Sequence, residues 1–308
     1  MIHEEIPAAL DGERIDRVTA LLTGINRADA TALVLDGVVE INGQAVTAKA
    51  HRLHEGDLIT INWEPVMVDT RPTAEPDLDV NIVFVDDEVI VVDKAPGVVV
   101  HPGHGQPDHT LVNALLARFP ELSDVGDAHR PGIVHRLDKE TSGLLMVARS
   151  PAVYDDLVAQ LAARTVQRRY TALVWGHVEN PAGRIEAPIG RSPRDPTLMA
   201  VTERGKPAVT DYVVLDTFDE PAPVTLVQCK LHTGRTHQIR VHLRAIGHPV
   251  LGDDRYGGRK ASVPVPRLFL HAATLGFTHP RTGEPMSFDS PLPADLATVL
   301  AGLSTRAD

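Results

Sequence analysis

The sequence predicts a mainly antiparallel α+β domain with a smaller module in front of it. Three observations carry this prediction. Short apolar runs bounded by turn residues recur through the second two-thirds of the chain, as strands do. Helical periodicity is confined to a few segments, too few and too irregular for the repeated βαβ units of a doubly wound sheet. A proline- and acid-rich stretch, residues 66–80, lacks periodicity and separates a helix–helix–strand segment from the rest. The expected organisation is therefore a small module over 1–65, a linker over 66–80 and a larger domain over 81–308. A chain of 308 residues is longer than most single domains, in keeping with that plan.

In the first module, Ile15, Val18, Leu21 and Leu22 fall on one helical face. Asn26 is placed to cap a second helix through Ala32 and Leu33, and Gly37 to end it. VVEIN alternates as a strand does, Asn42-Gly43 is a hairpin signal, and GDLITINW supplies a further strand. Beyond the linker, IVFV and VIVV flank an acidic turn. LLMVA and YTALVW read as buried strands. Between them Ser150-Pro151 starts a helix with Val153, Leu157, Val158 and Leu161 on one face. VTLVQCKL and FLHAATLGF are strands, with Cys229 a core residue of the first. A last helix between Pro291 and Leu303 carries Leu296, Val299, Leu300 and Leu303 as its apolar stripe.

Composition excludes several classes. At 43% hydrophobic and 23% charged residues the chain is not intrinsically disordered. No apolar run is long enough to span a bilayer. The acidic start gives no expectation of a secretory signal. The lone Cys229 rules out an intrachain disulfide and a multi-cysteine zinc site. A cytoplasmic protein, monomeric and with no membrane partner, is the expectation. The net charge of −11 argues against a polyanionic partner, but its distribution does not. Residues 1–128 hold 8 Lys and Arg against 23 Asp and Glu, whereas residues 129–308 hold 22 against 18. The segment 230–260 alone carries 7 basic and 2 acidic residues.

Two segments could carry chemistry. In RPGIVHRLDKETSGLLMVARS, Asp138 lies among His135, Arg136 and Lys139, and cationic neighbours favour an ionised carboxylate. Such a group suits nucleophilic or electrostatic work, although a surface turn with solvated ion pairs reads the same way. In LHTGRTHQIRVHLRAIGHPVLGDDRYGG, Arg235, Arg240 and Arg244 stand among His237, Gln238 and His242. Arg240 and Arg244 share a face whether QIRVHLR is helix or strand, which suits phosphate contacts or an Arg–carboxylate pair. The bland alternative is a basic solvated face. Tyr170 follows Arg164, Arg168 and Arg169 and is either a core aromatic or one approached by basic groups. The loop VHPGHGQPDH offers His101, His104, Asp108 and His109, a set readable as metal ligands, but it lacks a metalloenzyme spacing. These histidines are better read as surface or nucleic-acid-contacting groups, and no metal or cofactor is expected.

HRLDKETSGLLMVA resembles the signature of the RluA/RluD family of RNA pseudouridine synthases. The likeness continues in GVVVHPGHG…HTLVNALL, in RRYTALVWG, in TGRTHQIRVHLRAIGHPVLGDDRYG and in RLFLHA, in the family's order, over about residues 80–280. The resemblance implies an α+β, mainly antiparallel pseudouridine synthase domain that isomerises uridines in RNA, with large-subunit (23S) ribosomal RNA the expected substrate. Alternatives are a transfer RNA pseudouridine synthase or a non-catalytic RNA-binding ribosome-assembly factor; a metal-dependent hydrolase is the reading the histidine loop would support. By the resemblance Asp138 is the catalytic aspartate, Tyr170 the active-site tyrosine, Arg240 the basic partner of the aspartate, and Arg136 the arginine associated with the flipped nucleotide. His135, Arg235, His237 and Gln238 are expected to bind substrate beside them. The module over 1–65 resembles the RNA-binding domain shared with small-subunit ribosomal protein S-four.

Overall fold

The computed structural model describes residues 1–63, 71–103 and 105–305. Its chain divides into two compact units, Met1–Asp69 and Thr70–Asp308. No helix among the described residues is long and apolar enough to cross a membrane.

The first unit contains β1 (Ile2–Glu5), α1 (Ile15–Thr23), α2 (Arg27–Leu35), β2 (Val39–Ile41), β3 (Gln44–Ala45) and β4 (Leu58–Ile61). The strands form an antiparallel sheet in the order β1-β4-β2-β3. Asn26 caps α2, its side-chain oxygen accepting from the Ala28 and Asp29 amides, which would otherwise lack partners. Asn42 and Gly43 have φ of 53° and 79°, the left-handed pair that a two-residue hairpin turn requires. Ile15, Val18, Val34, Ile59 and Ile61 make the core. Leu21 departs from the expected apolar face and is 66% exposed, because it lies roughly 90° round the helix from the stripe through Ile15, Val18 and Leu22. β1 was not legible: it is a polar four-residue edge strand defined only by pairing with β4.

The second unit runs β5 (Asn81–Val85), β6 (Val89–Lys94), α3 (Leu111–Arg118), β7 (Ser142–Ala148), α4 (Pro151–Ala162), β8 (Gln167–Trp175), β9 (Ala182–Glu186), β10 (Ile189–Arg191), β11 (Met199–Val201), β12 (Val209–Phe218), β13 (Val224–Leu231), α5 (Gln238–Ala245), β14 (Leu270–Thr278), β15 (Pro285–Asp289) and α6 (Ala294–Ala301). Among the described residues its main sheet follows the order β5-β6-β7-β14-β8-β13-β12-β9, with β15 added to β14. Among the described residues every pairing in this sheet is antiparallel except β7 with β14, which is parallel. All seven residues of β7 are buried, so its run of apolar residues reflects cover on both faces. One face is packed by α3 residues such as Val112 and Leu115, the other by Val153 and Leu157 of α4. Val158, expected beside them, is 38% exposed because it is turned roughly 120° from that pair.

The stretch 71–80, read from sequence as linker, is laid against α3: Asn113 Nδ2 donates to the Thr73 carbonyl at 2.8 Å, and the Glu75 amide to the Asn113 carbonyl at 2.9 Å. Residues 66–70 of that expected linker lie outside the described residues. Gly143, in the T-S-G that follows Asp138, is required by the parallel pairing. Its φ is 113°, and a Cβ there would run into the Ala272 backbone of β14.

Candidate active site

Asp138 stands on the loop that leads into β7, and the backbone around it is fixed from below. The buried Lys94, at the end of β6, donates from Nζ to the carbonyls of Ala95, Val98 and Lys139 at 2.7, 2.9 and 3.1 Å. Gly97 N–H reaches the same Lys139 carbonyl at 2.8 Å, and Thr141 N–H closes a turn on the Asp138 carbonyl at 3.1 Å. Arg267, buried and held by both oxygens of Asp295, approaches the Glu140 carbonyl at 3.5 Å. Residues on each side of the turn are thus tied down while the Asp138 carboxylate, 18% exposed, is left open to the cavity.

Its charge partner is Arg240 of α5, with Nη1 3.2 Å from Asp138 Oδ2. Arg240 is held first by another carboxylate. Asp253, fully buried, accepts from Nε at 2.7 Å and from Nη2 at 2.8 Å, a two-pronged pairing. Asp253 Oδ1 also accepts from the Arg255 and Tyr256 amides at 3.0 and 3.1 Å. The Tyr256 ring lies 5.0 Å from the Arg240 guanidinium and 5.9 Å from that of Arg244, so the i,i+4 pair does share a face. Burial pulls the Arg240 pKa down, but the hydrogen bonds and charge of Asp253, then of Asp138, more than offset this and leave it above the ordinary arginine value. Asp253 and Tyr256 were missed as site residues. Their signal was present: Asp253 and Asp254 are the two acids in a segment with seven cations.

Tyr170 and Arg168, two residues apart on β8, point to one face and line the same cavity as Asp138. Burial pushes the Tyr170 hydroxyl up to about 12, Arg168 drawing it down and Asp138 pushing it further up. The group is therefore a phenol, able to donate, through the neutral pH range. His135 is a correction to the cationic setting expected for Asp138. Burial, with the Arg168 charge added, lowers its pKa to about 3, so it is neutral. Its Nε2 accepts from the Met146 amide at 3.2 Å, which puts the proton on Nδ1.

The cavity has a volume of about 540 Å³ and brings together Asp138, Tyr170 and Arg240 with His135, Arg136, Arg235, His237 and Gln238. These residues do not all face it alike. Arg136 is exposed and makes no ion pair among the described residues. Arg235 Nε is held by the Pro207 carbonyl at 3.0 Å. His237 sits at the start of α5 with φ 57° and ψ 24°, a left-handed conformation uncommon outside glycine. Burial lowers its pKa to about 4, and its Nδ1 is 2.7 Å from the Tyr256 hydroxyl, which itself accepts from Met199 N–H. Gln238 is buried and its amide is fully used. The oxygen accepts from Thr233 Oγ1 and Arg235 N–H, and the nitrogen donates to Val209 O and Thr210 Oγ1. It braces the turn, so the expected direct contact with substrate has no free group to make it.

His101 lines this cavity too, its Nδ1 2.9 Å from the Pro102 carbonyl. His109 instead pairs with Glu75 and Asp108, and His104 lies outside the described residues. Among the described residues no three His, Cys, Asp or Glu side chains are grouped to hold a metal ion. A buried guanidinium that binds two carboxylates, one of them open to a cavity, can hold that carboxylate aimed at a bound molecule.

The model of the RNA pseudouridylate synthase family matches residues 88–245. An RNA pseudouridine synthase of Bacillus subtilis, YlyB, named as uncharacterized, is 46% identical over 94% of either chain. The ribosomal large subunit pseudouridine synthase D of Nitrosomonas europaea is 44% identical, over 98% of this chain and 88% of its own. Among solved structures, the human RNA pseudouridylate synthase domain containing 1 superposes with a TM-score of 0.59 at 33% identity, covering 74% of this chain and 89% of its own.

Proposed function

This chain belongs to the RNA pseudouridylate synthase family and is an RNA pseudouridine synthase; from that premise we propose that it isomerises uridines of large-subunit ribosomal RNA, with Asp138 at the reacting sugar. The observation that carries the site assignment is the Asp138–Arg240–Asp253 chain of charges opening into a cavity walled by Tyr170. The substrate assignment is supported by relatives named for the ribosomal large subunit.

The reaction breaks the C1′–N1 bond of a uridine, turns the base and joins C1′ to C5. The base must leave the stack to reach any pocket. Arg240 places a positive charge beside the Asp138 carboxylate and fixes its direction, whether the carboxylate attacks C1′ or balances the charge that develops there. Tyr170 offers a ring on which the base can stack and, with its raised pKa, a hydroxyl that stays protonated. Exposed Arg136 and Arg164 at the cavity are placed to meet backbone phosphates. The unit Met1–Asp69, an edge strand, two helices and three further short strands, we read as an accessory RNA-binding module of the ribosomal protein S-four type. We read the protein as a cytoplasmic monomer, the location being the one a ribosomal RNA substrate calls for.

The test is pseudouridine mapping of total RNA from a strain lacking the gene, repeated after complementation with the wild type and with Asp138→Asn. Loss of one or more large-subunit pseudouridines, restored only by the wild type, is expected. Loss confined to transfer RNA would reassign the substrate. Restoration by Asp138→Asn would remove Asp138 from the chemistry.

A further inference from the structure

Four buried side-chain polar atoms lack a hydrogen-bond partner among the described residues, and three belong to residues lining the active-site cavity: Thr141 Oγ1, His135 Nδ1 and Arg168 Nε. Orphaned polar atoms are rare in folded proteins and call for a reason. Arg168 is the most costly of the three. It is 6% exposed and makes no hydrogen bond or ion pair among the described residues. A guanidinium stays charged in a protein, and an uncompensated buried charge is expensive. The chain elsewhere avoids this cost: buried Arg240 is paired with Asp253, and buried Arg267 with Asp295. The guanidinium reaches from β8 toward the 232–237 loop, where a Cβ at Gly234 would come within 3.0 Å of Nη1.

The uracil that is cut loose is an anion. When C1′–N1 breaks, both electrons leave with N1, and the charge spreads over N1, O2 and O4. No proton is needed in that step. Later C5 bonds to C1′, the C5 proton departs and N1 takes up a proton, so the product is an isomer of the substrate. Asp138 is at the sugar side of that bond. A negative charge developing on the base side needs a cation that is deep in the cavity and not already neutralised. Arg168 fits both conditions, whereas the exposed Arg136 and Arg164 fit the phosphates outside.

We infer that Arg168 is a catalytic residue that stabilises the detached uracil anion, an assignment that rests on the pseudouridine synthase reading above. It acts as a fixed cation at the developing charge and donates hydrogen bonds to the base oxygens, giving up no proton. His135, neutral beside it, brings no second charge to the cavity wall.

The experiment compares wild type, Arg168→Gln and Arg168→Lys in single-turnover conversion of a ribosomal RNA fragment. The same fragment carrying 5-fluorouridine is run in parallel, with nucleoside loss read by digestion and mass spectrometry. Fluorine at C5 acidifies N1 and makes the base a better leaving group, so it should substitute in part for the missing cation. Arg168→Gln should slow uridine conversion by roughly 100- to 1,000-fold, the usual effect of removing a donor at a developing charge. The loss on the fluorinated fragment should be smaller by about tenfold, and Arg168→Lys should regain about tenfold on uridine through its retained charge. RNA affinity and its salt dependence should stay as in the wild type. Equal losses on the two substrates would remove Arg168 from the leaving group. Weaker, less salt-dependent RNA binding with full conversion at saturation would make it a phosphate contact and overturn the inference. Unfolding of both variants, read by circular dichroism, would make it a structural residue and overturn it too. Failure of the wild type to convert uridine at all would instead sink the parent reading.

Discussion

Arg240 belongs to Asp253 before it belongs to Asp138. It gives Asp253 two hydrogen bonds of 2.7 and 2.8 Å and Asp138 one of 3.2 Å. The pairing expected from sequence is present, but it is the weaker half of a three-member chain. Asp253 anchors the guanidinium in the protein, and the remaining Nη1 is presented to the cavity carboxylate.

Asp253 should therefore matter nearly as much as Arg240. Asp253→Ala leaves a buried guanidinium without its anchor, and Arg240→Ala leaves a fully buried carboxylate unpaired. Breaking such a pair from one side costs about 3–5 kcal/mol, so both variants should unfold at clearly lower urea concentration. Asp253→Asn keeps the shape and removes the charge. It should retain more stability yet lose roughly 100-fold in tritium release from 5-tritiated uridine, because Arg240 is no longer fixed in register. A fully active Asp253→Asn protein would refute the anchoring role.

Asp138→Asn should behave in the opposite sense. The carboxylate is partly open and its side chain has a single ion-pair partner. Thermal stability should change little while tritium release falls to background. A large drop in melting temperature would mean that Asp138 serves the fold as well.

Tyr170→Phe separates the ring from the hydroxyl. RNA affinity, measured by filter binding, should be retained because the stacking surface remains, and conversion should slow. With the hydroxyl pushed up to about 12, no step attributable to tyrosine ionisation should appear in the rate between pH 6 and 10. A rate that rises with an apparent pKa in that window in the wild type, and not in Tyr170→Phe, would show the tyrosine acting as a base.

Acid should destabilise the protein through two histidines. His237 and His135 have folded pKa values lowered to about 4 and about 3, below the ordinary 6.5. The unfolded chain binds their protons first. Their contribution is fully present above pH 6.5 and declines as pH falls toward those values, by up to about 1.4 kcal/mol per pH unit for each group. Urea titrations at pH 7, 6 and 5 should show the decline, and His237→Gln should flatten it. An unchanged slope in that variant would contradict a neutral, half-buried His237.

The salt dependence of RNA binding should come from the cavity rim. Arg136 and Arg164 are exposed and make no ion pair among the described residues. Neutralising both should lower the slope of log affinity against log salt by about 1.4, at roughly 0.7 for each contact to single-stranded RNA. Arg259 and Lys260, cations of the basic segment 230–260, are engaged already, the first with Asp254 and the second 4.5 Å from the Trp175 ring centre. Replacing those two should change the slope less; the reverse ranking would move the RNA path away from the rim.

The sequence left β9 to β12 undetermined, but by itself it determined the α+β class, the strands β5 to β8, β13 and β14, the caps at Asn26 and Ser150 and, through the family resemblance, the grouping of Asp138, Tyr170 and Arg240. These rest on local signals: alternation, capping residues, and motif segments in a fixed order. Only the tertiary structure decided which groups are charged, which are used up and which are left over. Arg168 and Arg169 are adjacent in sequence, yet β8 turns one into the cavity wall and the other to solvent. His135 and Arg136 are adjacent as well, yet burial beside Arg168 neutralises the histidine while the arginine stays exposed. Gln238 reads as a binding residue in the sequence, and in the fold four hydrogen bonds to Thr233, Arg235, Val209 and Thr210 occupy its side chain. Asp253 reads as one acid in a basic run and becomes the anchor of the site by lying 13 residues from Arg240 in sequence and 2.7 Å from it in space. Partner choice depends on distance and on loss of solvent, and neither is a property of the chain until it has folded.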